Sequence, residues 1–388
     1  MSAPGILDSR LLRRENSAGQ VKLWCFASEW ELLELADGTV VFHHLMGRQF
    51  SLRSVGEPLR RVLRRLEAGP VAFLELCDGD AEAARRLARM LTPLIRQGVL
   101  AAARNHARPE WADDRFTERF STQLEWLASL SPEQHGRWDF MARLREASVA
   151  VLGLGGLGSL VALMLAAAGV GRLRLVDGDV VEESNLVRQI LYFPDQADGT
   201  GKAEALAAQL RRFTPYTEVD VVPSYLSGPE DIAARLDGMD MAALCADAPR
   251  FVLNRWTDAV CRDGGIPYLG AFAGQVGPMF LPGESPCFGC FEHYLREDLG
   301  PRHDLVVDAL AQKRSWRYPA FVSGPVSIAH LMTTEIVLQL TGAATPATSC
   351  GVLHIRHPET VREELLPHPD CDCAAAAARS AASAGTAV

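Results

Sequence analysis

The sequence predicts an α/β protein with a doubly wound, mainly parallel sheet, preceded by a small winged-helix-like α+β module. Three observations lead to this fold class. Strand-like and helical segments alternate after about residue 147, a glycine-rich turn follows the first of those strands, and the first hundred residues combine short alternating segments with helical ones. The predicted divisions are an N-terminal module, a helical linker, a main domain and a disordered tail, at residues 1–104, 105–147, 148–373 and 374–388.

The N-terminal module is predicted from hairpin and helix signals between Val21 and Arg104. Asp37-Gly38 is typical of a hairpin turn between two strands. Two helical stretches follow, VGEPLRRVLRRLEAG and DAEAARRLARMLTPLIRQGVL. Modules of this shape bind peptides in some proteins and nucleic acid in others, so the shape alone does not decide the ligand.

The main domain follows a linker with a helical pattern. Its strand candidates are SVAVLGL, GRLRLVDGD, VDVVPSYL, MDMAALCAD and PYLGAFAG, and helical segments separate them. Alternation at this spacing predicts a mainly parallel sheet that is covered on both faces. The last fifteen residues, AAAAARSAASAGTAV, are of low complexity, which predicts disorder.

The composition is that of an ordinary globular protein, with 48% hydrophobic and 22% charged residues among 388. The 39 Lys+Arg and 48 Asp+Glu give a net charge of −9, which does not indicate a general nucleic-acid binder. A local basic patch is still compatible with this net charge. Nine cysteines are too few for a disulfide scaffold, and MSAPGILDSRLLRREN lacks the apolar run of a secretory leader. We therefore expect a cytoplasmic protein with no nucleic-acid or membrane partner.

One stretch has the length of a membrane span, because Ala147 to Gly171 contains no charge over about 25 residues. Six of these residues are glycines, and four of them lie between Gly153 and Gly158. That clustering favours a strand, a tight turn and a buried helix.

The turn fits the pattern G-x-G-x-x-G, in which glycines let a backbone approach a phosphate at a helix N-terminus. Its glycines are Gly153, Gly155, Gly156 and Gly158. Asp177 ends the next strand candidate, where an acidic side chain can hold ribose hydroxyls. Such a Rossmann-like arrangement fits a NAD enzyme equally well.

The next stretch separates the alternatives. DGDVVEESNLVRQ spans residues 177–189, and GTGK follows at 199–202. Hydride transfer does not use an Arg and a Lys beyond the ribose, whereas displacement of a triphosphate requires cations on its oxygens. Arg188 and Lys202 therefore favour nucleotidyl transfer, with surface salt bridges on a helix as the alternative.

These motifs together resemble the ThiF/MoeB superfamily of ATP-dependent carboxylate activators, over about Ala147 to Cys373. The resemblance implies that a C-terminal carboxylate becomes an acyl-adenylate. It also implies roles for residues of the matched block: Asp177 on the ribose, Asn185, Arg188 and Lys202 on the triphosphate, Asp179 and Gln189 in the same nucleotide site, and Asp247 on Mg²⁺. The alternative for Asp247 is a buried helix-capping side chain.

Two close thiol pairs form a second constellation, Cys287 with Cys290 and Cys371 with Cys373. Four thiolates suit one tetrahedral Zn²⁺, and the superfamily has a structural zinc at two C-x-x-C motifs. Because the second pair here is C-x-C, His368 is an alternative ligand. Four unconnected thiols are the other interpretation.

A finer resemblance within the superfamily is to the microcin C adenylyltransferases, which modify the C-terminus of a ribosomal peptide. It rests on Asp247-Ala248-Pro249, on the run from Trp316 to Ser327 and on the N-terminal module. In peptide natural-product enzymes such a module takes a leader peptide as an added strand. No cysteine lies between Cys290 and Cys350, so thioester transfer is not expected.

One departure concerns a motif ahead of the glycine turn. Many relatives have R-x-x-R there, which supplies an arginine to the partner subunit's ATP, whereas this chain has Arg119 and then Thr122. Either Arg119 or another cation takes the place of the missing second arginine, or adenylation by this protein is weaker than in those relatives. The resemblance also implies a homodimer.

The function expected from these features is ATP- and Mg²⁺-dependent adenylation of a carboxylate of a ribosomal precursor peptide, in peptide natural-product biosynthesis. One alternative is a non-catalytic leader-binding scaffold for a partner cyclodehydratase. A second alternative is activation of a sulfur carrier or ubiquitin-like protein.

Overall fold

The computed structural model describes residues 23–27, 30–44, 47, 49–72, 74–103, 108–130, 137–272, 274–312, 321–356 and 359–373. The chain divides into two compact units, residues 1–141 and 142–388. The division falls inside the predicted linker, and the predicted disordered tail, residues 374–388, lies outside the described residues.

Two three-stranded antiparallel sheets and three α-helices lie in the described residues of the first unit up to residue 130. Its elements in chain order are β1 (Leu23–Phe26), β2 (Trp30–Glu34), β3 (Val40–His44), β4 (Gln49–Leu52), α1 (Glu57–Ala68), β5 (Val71–Ala72), α2 (Ala81–Arg96), β6 (Leu100–Ala103) and α3 (Asp114–Leu130). One sheet has the order β5-β1-β6 and the other β2-β3-β4. The expected hairpin at Asp37-Gly38 is confirmed, since β2 pairs with β3 and Asp37 Oδ1 accepts the N–H of Thr39 at 2.9 Å.

The core of the first unit explains why these short strands hold. Phe42 and Leu63 are completely buried, and Leu66 is 1% exposed. Phe42 also stacks on Phe50, with ring centroids 4.9 Å apart. Helix α2 begins cleanly because the side chain of Asp80 accepts the N–H groups of Glu82 and Ala83. An α+β module of the predicted type is therefore present.

The boundary between the two units lies inside helix α4 (Arg137–Glu146), and one eight-stranded sheet lies in the described residues of the second unit. Its elements are β7 (Ser148–Leu152), α5 (Gly156–Ala168), β8 (Arg172–Val176), α6 (Lys202–Phe213), β9 (Glu218–Val222), α7 (Pro229–Leu236), β10 (Met241–Leu244), α8 (Val252–Gly264), β11 (Tyr268–Phe272), β12 (Gln275–Phe280), α9 (Phe288–Leu299), α10 (His303–Gln312), α11 (Ser323–Thr341), β13 (Gly351–Arg356) and β14 (Glu359–Glu364). The strand order is β14-β13-β12-β11-β10-β7-β8-β9.

The predicted fold class is confirmed by the pairing in this sheet. Strands β11, β10, β7, β8 and β9 run parallel, whereas β12, β13 and β14 are added antiparallel. Strands β7 and β10 are buried along their whole length, as expected for parallel strands covered on both faces. From β7 the chain continues to β8 and β9 on one side, and then crosses to β10 on the other. The order therefore reverses between β7 and β10, where α/β folds form a crevice.

The uncharged stretch from Ala147 to Gly171 resolves into a strand, a turn and the 13-residue helix α5. Ser159, Val161, Ala162, Leu165 and Ala166 on that helix are completely buried in the protein, which explains the apolar run. Among the described residues we find no helix with the length and apolar character needed to cross a bilayer.

Candidate nucleotide and zinc sites

A cavity of about 680 Å³ lies at the carboxyl ends of the parallel strands, where the strand order reverses. Nine of the eleven residues predicted for the nucleotide and its Mg²⁺ line it: Gly153, Gly155, Gly156, Asp177, Asp179, Arg188, Gln189, Lys202 and Asp247. The two that do not are Gly158 and Asn185. The sheet brings the nine together because β7, β8 and β10 end side by side.

Gly158 lies inside helix α5 and is buried. A Cβ atom at this position would lie 1.8 Å from the carbonyl oxygen of Gly153 and 3.0 Å from Cys245 Cβ. Glycine is therefore required for the close approach of α5 to the ends of β7 and β10, which also shapes the glycine turn. The last glycine of the motif acts through packing rather than by facing the cavity.

Asp177 fixes the turn that follows β8. Its Oδ2 accepts the N–H of Leu154 at 2.6 Å, and its Oδ1 accepts the N–H of Asp179 at 2.7 Å. Burial raises the pKa of this carboxyl, against the two backbone hydrogen bonds. Each carboxylate oxygen keeps a second lone pair. Asp177 is therefore placed to accept hydrogen bonds from a ligand in the cavity while it holds the glycine turn.

Lys202, at the start of α6, is 5% exposed and donates from Nζ to Asp179 Oδ2 at 2.9 Å. The other oxygen of Asp179 accepts the hydroxyl of Tyr225 at 2.9 Å. Burial alone would raise the pKa of Asp179, but the hydrogen bond and charge of Lys202 hold it below its usual range. The cavity wall therefore carries a formed ion pair.

Arg188, Gln189 and Asn185 come from one short turn after β8. The Arg188 guanidinium donates to the carbonyl of Ser184 at 3.1 Å and lines the cavity. Gln189 is 3% exposed, and its Oε1 has no hydrogen-bond partner among the described residues. Asn185 is buried, and its Oδ1 accepts the N–H of Glu182 at 3.3 Å. Asn185 therefore stabilises the turn that presents its two neighbours to the cavity.

Asp247 follows β10 and lines the cavity with an exposed side chain. It is neither buried nor the N-cap of α8, which is Phe251, so the helix-capping alternative does not hold. A carboxylate in this position suits Mg²⁺, which takes one or two protein carboxylates together with phosphate oxygens. The buried, unpartnered Gln189 Oε1 and the two cations further fit a polyanionic ligand with hydroxyl or amine donors.

The sequence assigned no specific role to the other residues of the cavity wall, although five of them belong to the Asp247-Ala248-Pro249 segment or to the run from Trp316 to Ser327. They are Leu157, Val176, Gly178, Ser224, Tyr225, Leu226, Cys245, Ala246, Ala248, Arg250, Ala271, Gly274, Phe321, Ser323, Gly324, Pro325, Ile328 and Ile355. Many of them lie at the carboxyl end of a predicted strand segment, which is the signal that would have found them. Within the singled-out run, Trp316 to Ala320 lie outside the described residues. Arg119 and Thr122 lie on α3 of the first unit.

The four predicted thiols lie together in the second unit. The sulfur atoms of Cys287, Cys290, Cys371 and Cys373 are all within 4.8 Å of one another. A tetrahedral zinc site with Zn–S bonds of about 2.3 Å requires sulfur atoms about 3.8 Å apart. The four side chains therefore fit the donor set of a structural Zn²⁺, which would tie the start of α9 to the segment after β14. The hydrogen bond from Cys287 and a weaker effect from that of Cys373 lower the pKa of Cys290, which favours the thiolate form of this side chain.

Groups around the thiols fix their backbone. The N–H of His368 donates to Cys290 Sγ at 3.3 Å, while the His368 ring contacts Asp370 N at 3.1 Å and Glu297 Oε1 at 3.1 Å. Both ring nitrogens of His368 are therefore engaged in other contacts. The four cysteines supply four candidate zinc ligands without His368. Arg262 of α8 pairs with Asp372 at 2.5 Å, which holds the short C-x-C segment.

Fold and cavity define a Rossmann-like α/β protein that carries a tetrathiol cluster. The family model described as "ThiF family" matches residues 122–375. The chain belongs to the ThiF family.

Curated relatives match part of the chain. Adenylyltransferase and sulfurtransferase MOCS3 of Mus musculus is 44% identical over 179 residues, which is 44% of this chain and 36% of that protein. SAMP-activating enzyme E1 of Haloferax volcanii is 38% identical over 181 residues, 45% of this chain and 61% of that protein. The matched segment therefore spans about a third of MOCS3 and less than two thirds of the archaeal enzyme.

A solved structure is similar over nearly the whole chain. E. coli MccB, crystallised with ATP, superimposes with a TM-score of 0.67 at 18% identity and covers 90% of this chain and 99% of MccB. MccB in complex with N-formylated MccA, described as a microcin C7 biosynthetic enzyme, gives the same values. The likeness shows that the fold is shared.

Proposed function

We propose that this protein adenylates a carboxylate of a ribosomal precursor peptide with ATP and Mg²⁺. The observation that carries the proposal is the cavity at the strand-order reversal, which gathers Lys202, Arg188, Asp247 and the glycine turn from distant parts of the sequence. Hydride transfer by a NAD enzyme makes no use of Lys202 and Arg188, which both line this cavity.

In the proposed reaction a carboxylate oxygen of the peptide attacks the α-phosphorus of ATP. The new bond joins that oxygen to phosphorus, and the bond from the α-phosphorus to the bridging oxygen breaks. Pyrophosphate leaves with the electron pair, and Lys202 and Arg188 stabilise the charge that develops on it. Asp247 would hold Mg²⁺, which would supply neutralisation of the phosphate charge. No protein group needs to accept a proton, because a carboxylate attacks in its ionised form.

A peptide substrate is supported by the N-terminal unit. The first unit adds an α+β module with sheet edges, and the likeness to MccB extends over 90% of the chain, whereas the match to MOCS3 covers 44% of it. Sulfur-carrier activation is the second candidate function, favoured by that 44% identity over 179 residues. A non-catalytic scaffold is less well supported, because the cavity retains Asp177, Arg188, Lys202 and Asp247.

The candidate substrates for the test are the peptides encoded by any short reading frames beside this gene. Each peptide is incubated with the full-length protein, ATP and Mg²⁺, and pyrophosphate release and peptide mass are followed. We expect pyrophosphate release that depends on the peptide and a mass change at its carboxylate. Release only with a sulfur carrier that ends in Gly-Gly would instead establish the second candidate function, and peptide binding without release would establish the scaffold.

We expect leader binding at the edge strand β2, because Leu33 on that strand and Leu35 directly after its last residue are 45% and 47% exposed. An added strand gains affinity from backbone pairing and specificity from alternate side chains. The double variant Leu33→Glu and Leu35→Glu should raise the KM of the peptide about tenfold or more and leave the KM of ATP unchanged. Leu366→Glu, at a leucine 55% exposed in the second unit, is the control. An unchanged peptide KM would contradict leader binding at this edge.

We also propose that the protein is a homodimer. Two-fold pairing of the chains would give the dimer two nucleotide sites. Light scattering at micromolar concentration should give twice the 42.2 kDa mass of one chain. A mass of 42.2 kDa at that concentration would remove this proposal.

A further inference from the structure

Three side chains of the cavity wall form a continuous hydrogen-bonded series. The hydroxyl of Tyr225 donates to Asp179 Oδ1 at 2.9 Å, and Lys202 Nζ donates to Asp179 Oδ2 at 2.9 Å. All three residues line the cavity. Tyr225 belongs to the loop after β9, and none of the motifs that predict the nucleotide site includes it.

The side chains of this series differ sharply in exposure. Lys202 is 5% exposed, whereas Tyr225 is 68% exposed. Tyr225 is nevertheless held in place, because its ring packs against the backbone at Gly178. A Cβ atom at position 178 would lie 2.8 Å from Tyr225 Cδ2, so glycine is needed for this approach. The hydrogen bond to Asp179 raises the pKa of Tyr225, which keeps its hydroxyl protonated and able to donate.

Asp179 depends on these two partners for its orientation. Its neighbour Asp177 is fixed by two backbone N–H groups, but in the described part of the chain the Asp179 carboxylate is bonded only by Lys202 and Tyr225. With one oxygen held by the phenol, the carboxylate cannot rotate away from the ammonium. A lysine ammonium has three N–H donors, so the contact with Asp179 leaves two for phosphate oxygens.

We propose that Tyr225 is a positioning residue, which acts through Asp179 to fix the Lys202 ammonium where it contacts the phosphates of ATP. The inference rests on the proposed function, because it assumes that a nucleoside triphosphate occupies the cavity. Lysine has a long flexible stem, so an ammonium that is already oriented loses less freedom when the phosphates bind.

The test measures binding of Mg²⁺·α,β-methylene-ATP to the full-length protein by calorimetry, without peptide. Tyr225→Phe keeps the ring on Gly178 and removes only the hydroxyl. We expect it to weaken binding about fivefold in the wild-type background. In the Asp179→Ala background, where the link to Lys202 is absent, the same substitution should change the dissociation constant by no more than about 1.5-fold. Tyr216→Phe, a phenol outside the cavity, is the matched control.

The outcomes separate this inference from the proposed function. An unchanged dissociation constant in Tyr225→Phe would overturn the inference. An equal loss in both backgrounds would also overturn it, since Tyr225 would then act on the nucleotide without Asp179. If the wild-type protein binds no nucleotide, all variants fail alike, and the proposed function falls with the inference. Loss in the wild-type background alone supports the inference, because a merely structural hydroxyl would show no such coupling.

Discussion

Lys202→Ala and Asp247→Asn should each lower kcat for peptide-dependent pyrophosphate release by about a hundredfold or more. In the proposed reaction both groups gain interaction energy as charge moves onto pyrophosphate, so their loss acts on the transition state more than on ground-state binding. Lys202 lies at the cavity wall and Asp247 is an exposed side chain there, and neither fills the apolar core. The measurement is the steady-state rate with saturating ATP and peptide.

Two matched variants control for charge and helix context. Arg212→Ala removes an exposed cation from the last turn of α6, the helix that begins with Lys202, and Asp298→Asn neutralises an exposed carboxylate on α9. Both should keep the wild-type rate. If Lys202→Ala and Asp247→Asn also keep the wild-type rate, these two residues do not have the catalytic roles assigned to them. The proposed enzyme class would still stand if the wild-type protein is active.

Removal of zinc should cost the second unit much of its stability. Metal analysis of the purified protein should find about one zinc per chain, because four buried thiols enclose a site of the right size. Cys290→Ser, or treatment with a strong chelator, should lower the free energy of unfolding by about 3 kcal/mol or more and the Tm by about 10 °C. The cause is that metal binding energy contributes directly to folding when the unfolded chain has no formed site.

Cys350→Ser is the control for this experiment, since Cys350 lies outside the thiol cluster. It should melt close to the wild-type temperature. A fully stable protein that contains no zinc, or an unaltered Tm in Cys290→Ser, would contradict the prediction that the four thiols bind a structural zinc.

Much of the second unit could be predicted because its signals are local. Continuous apolar runs in β7 and β10 identify buried parallel strands, and the glycine turn identifies the start of α5. Asp177 and Asp247 were found because each ends a predicted strand segment, and the carboxyl ends of parallel strands meet at one edge. The thiol pairs were expected to meet for another reason, because two close pairs supply the four thiolates of one zinc site, and the structure places the four sulfur atoms together.

The remaining features have no local signal. All six residues of β14 are exposed, so the strand lacks the alternation that marks a half-buried strand. Motif membership also does not reveal which way a residue faces, and Gly158 and Asn185 support the cavity from behind it. Tyr225 lies in a loop, and its role depends on Asp179, which is 46 positions earlier in the chain.

The thiol cluster has a topological consequence. Cys287 and Cys371 are 84 positions apart, so a metal bridge would close a ring of chain that carries α9, α10, α11, β13 and β14. Phe321, Pro325 and Ile355 of the cavity wall belong to that ring, whereas the glycine turn and Lys202 do not. Each doubling of a closed loop costs only about 0.6 kcal/mol of entropy. Insertions in the ring should therefore cost little stability while they change the part of the cavity wall that the ring supplies, and they should leave the glycine turn and Lys202 in place.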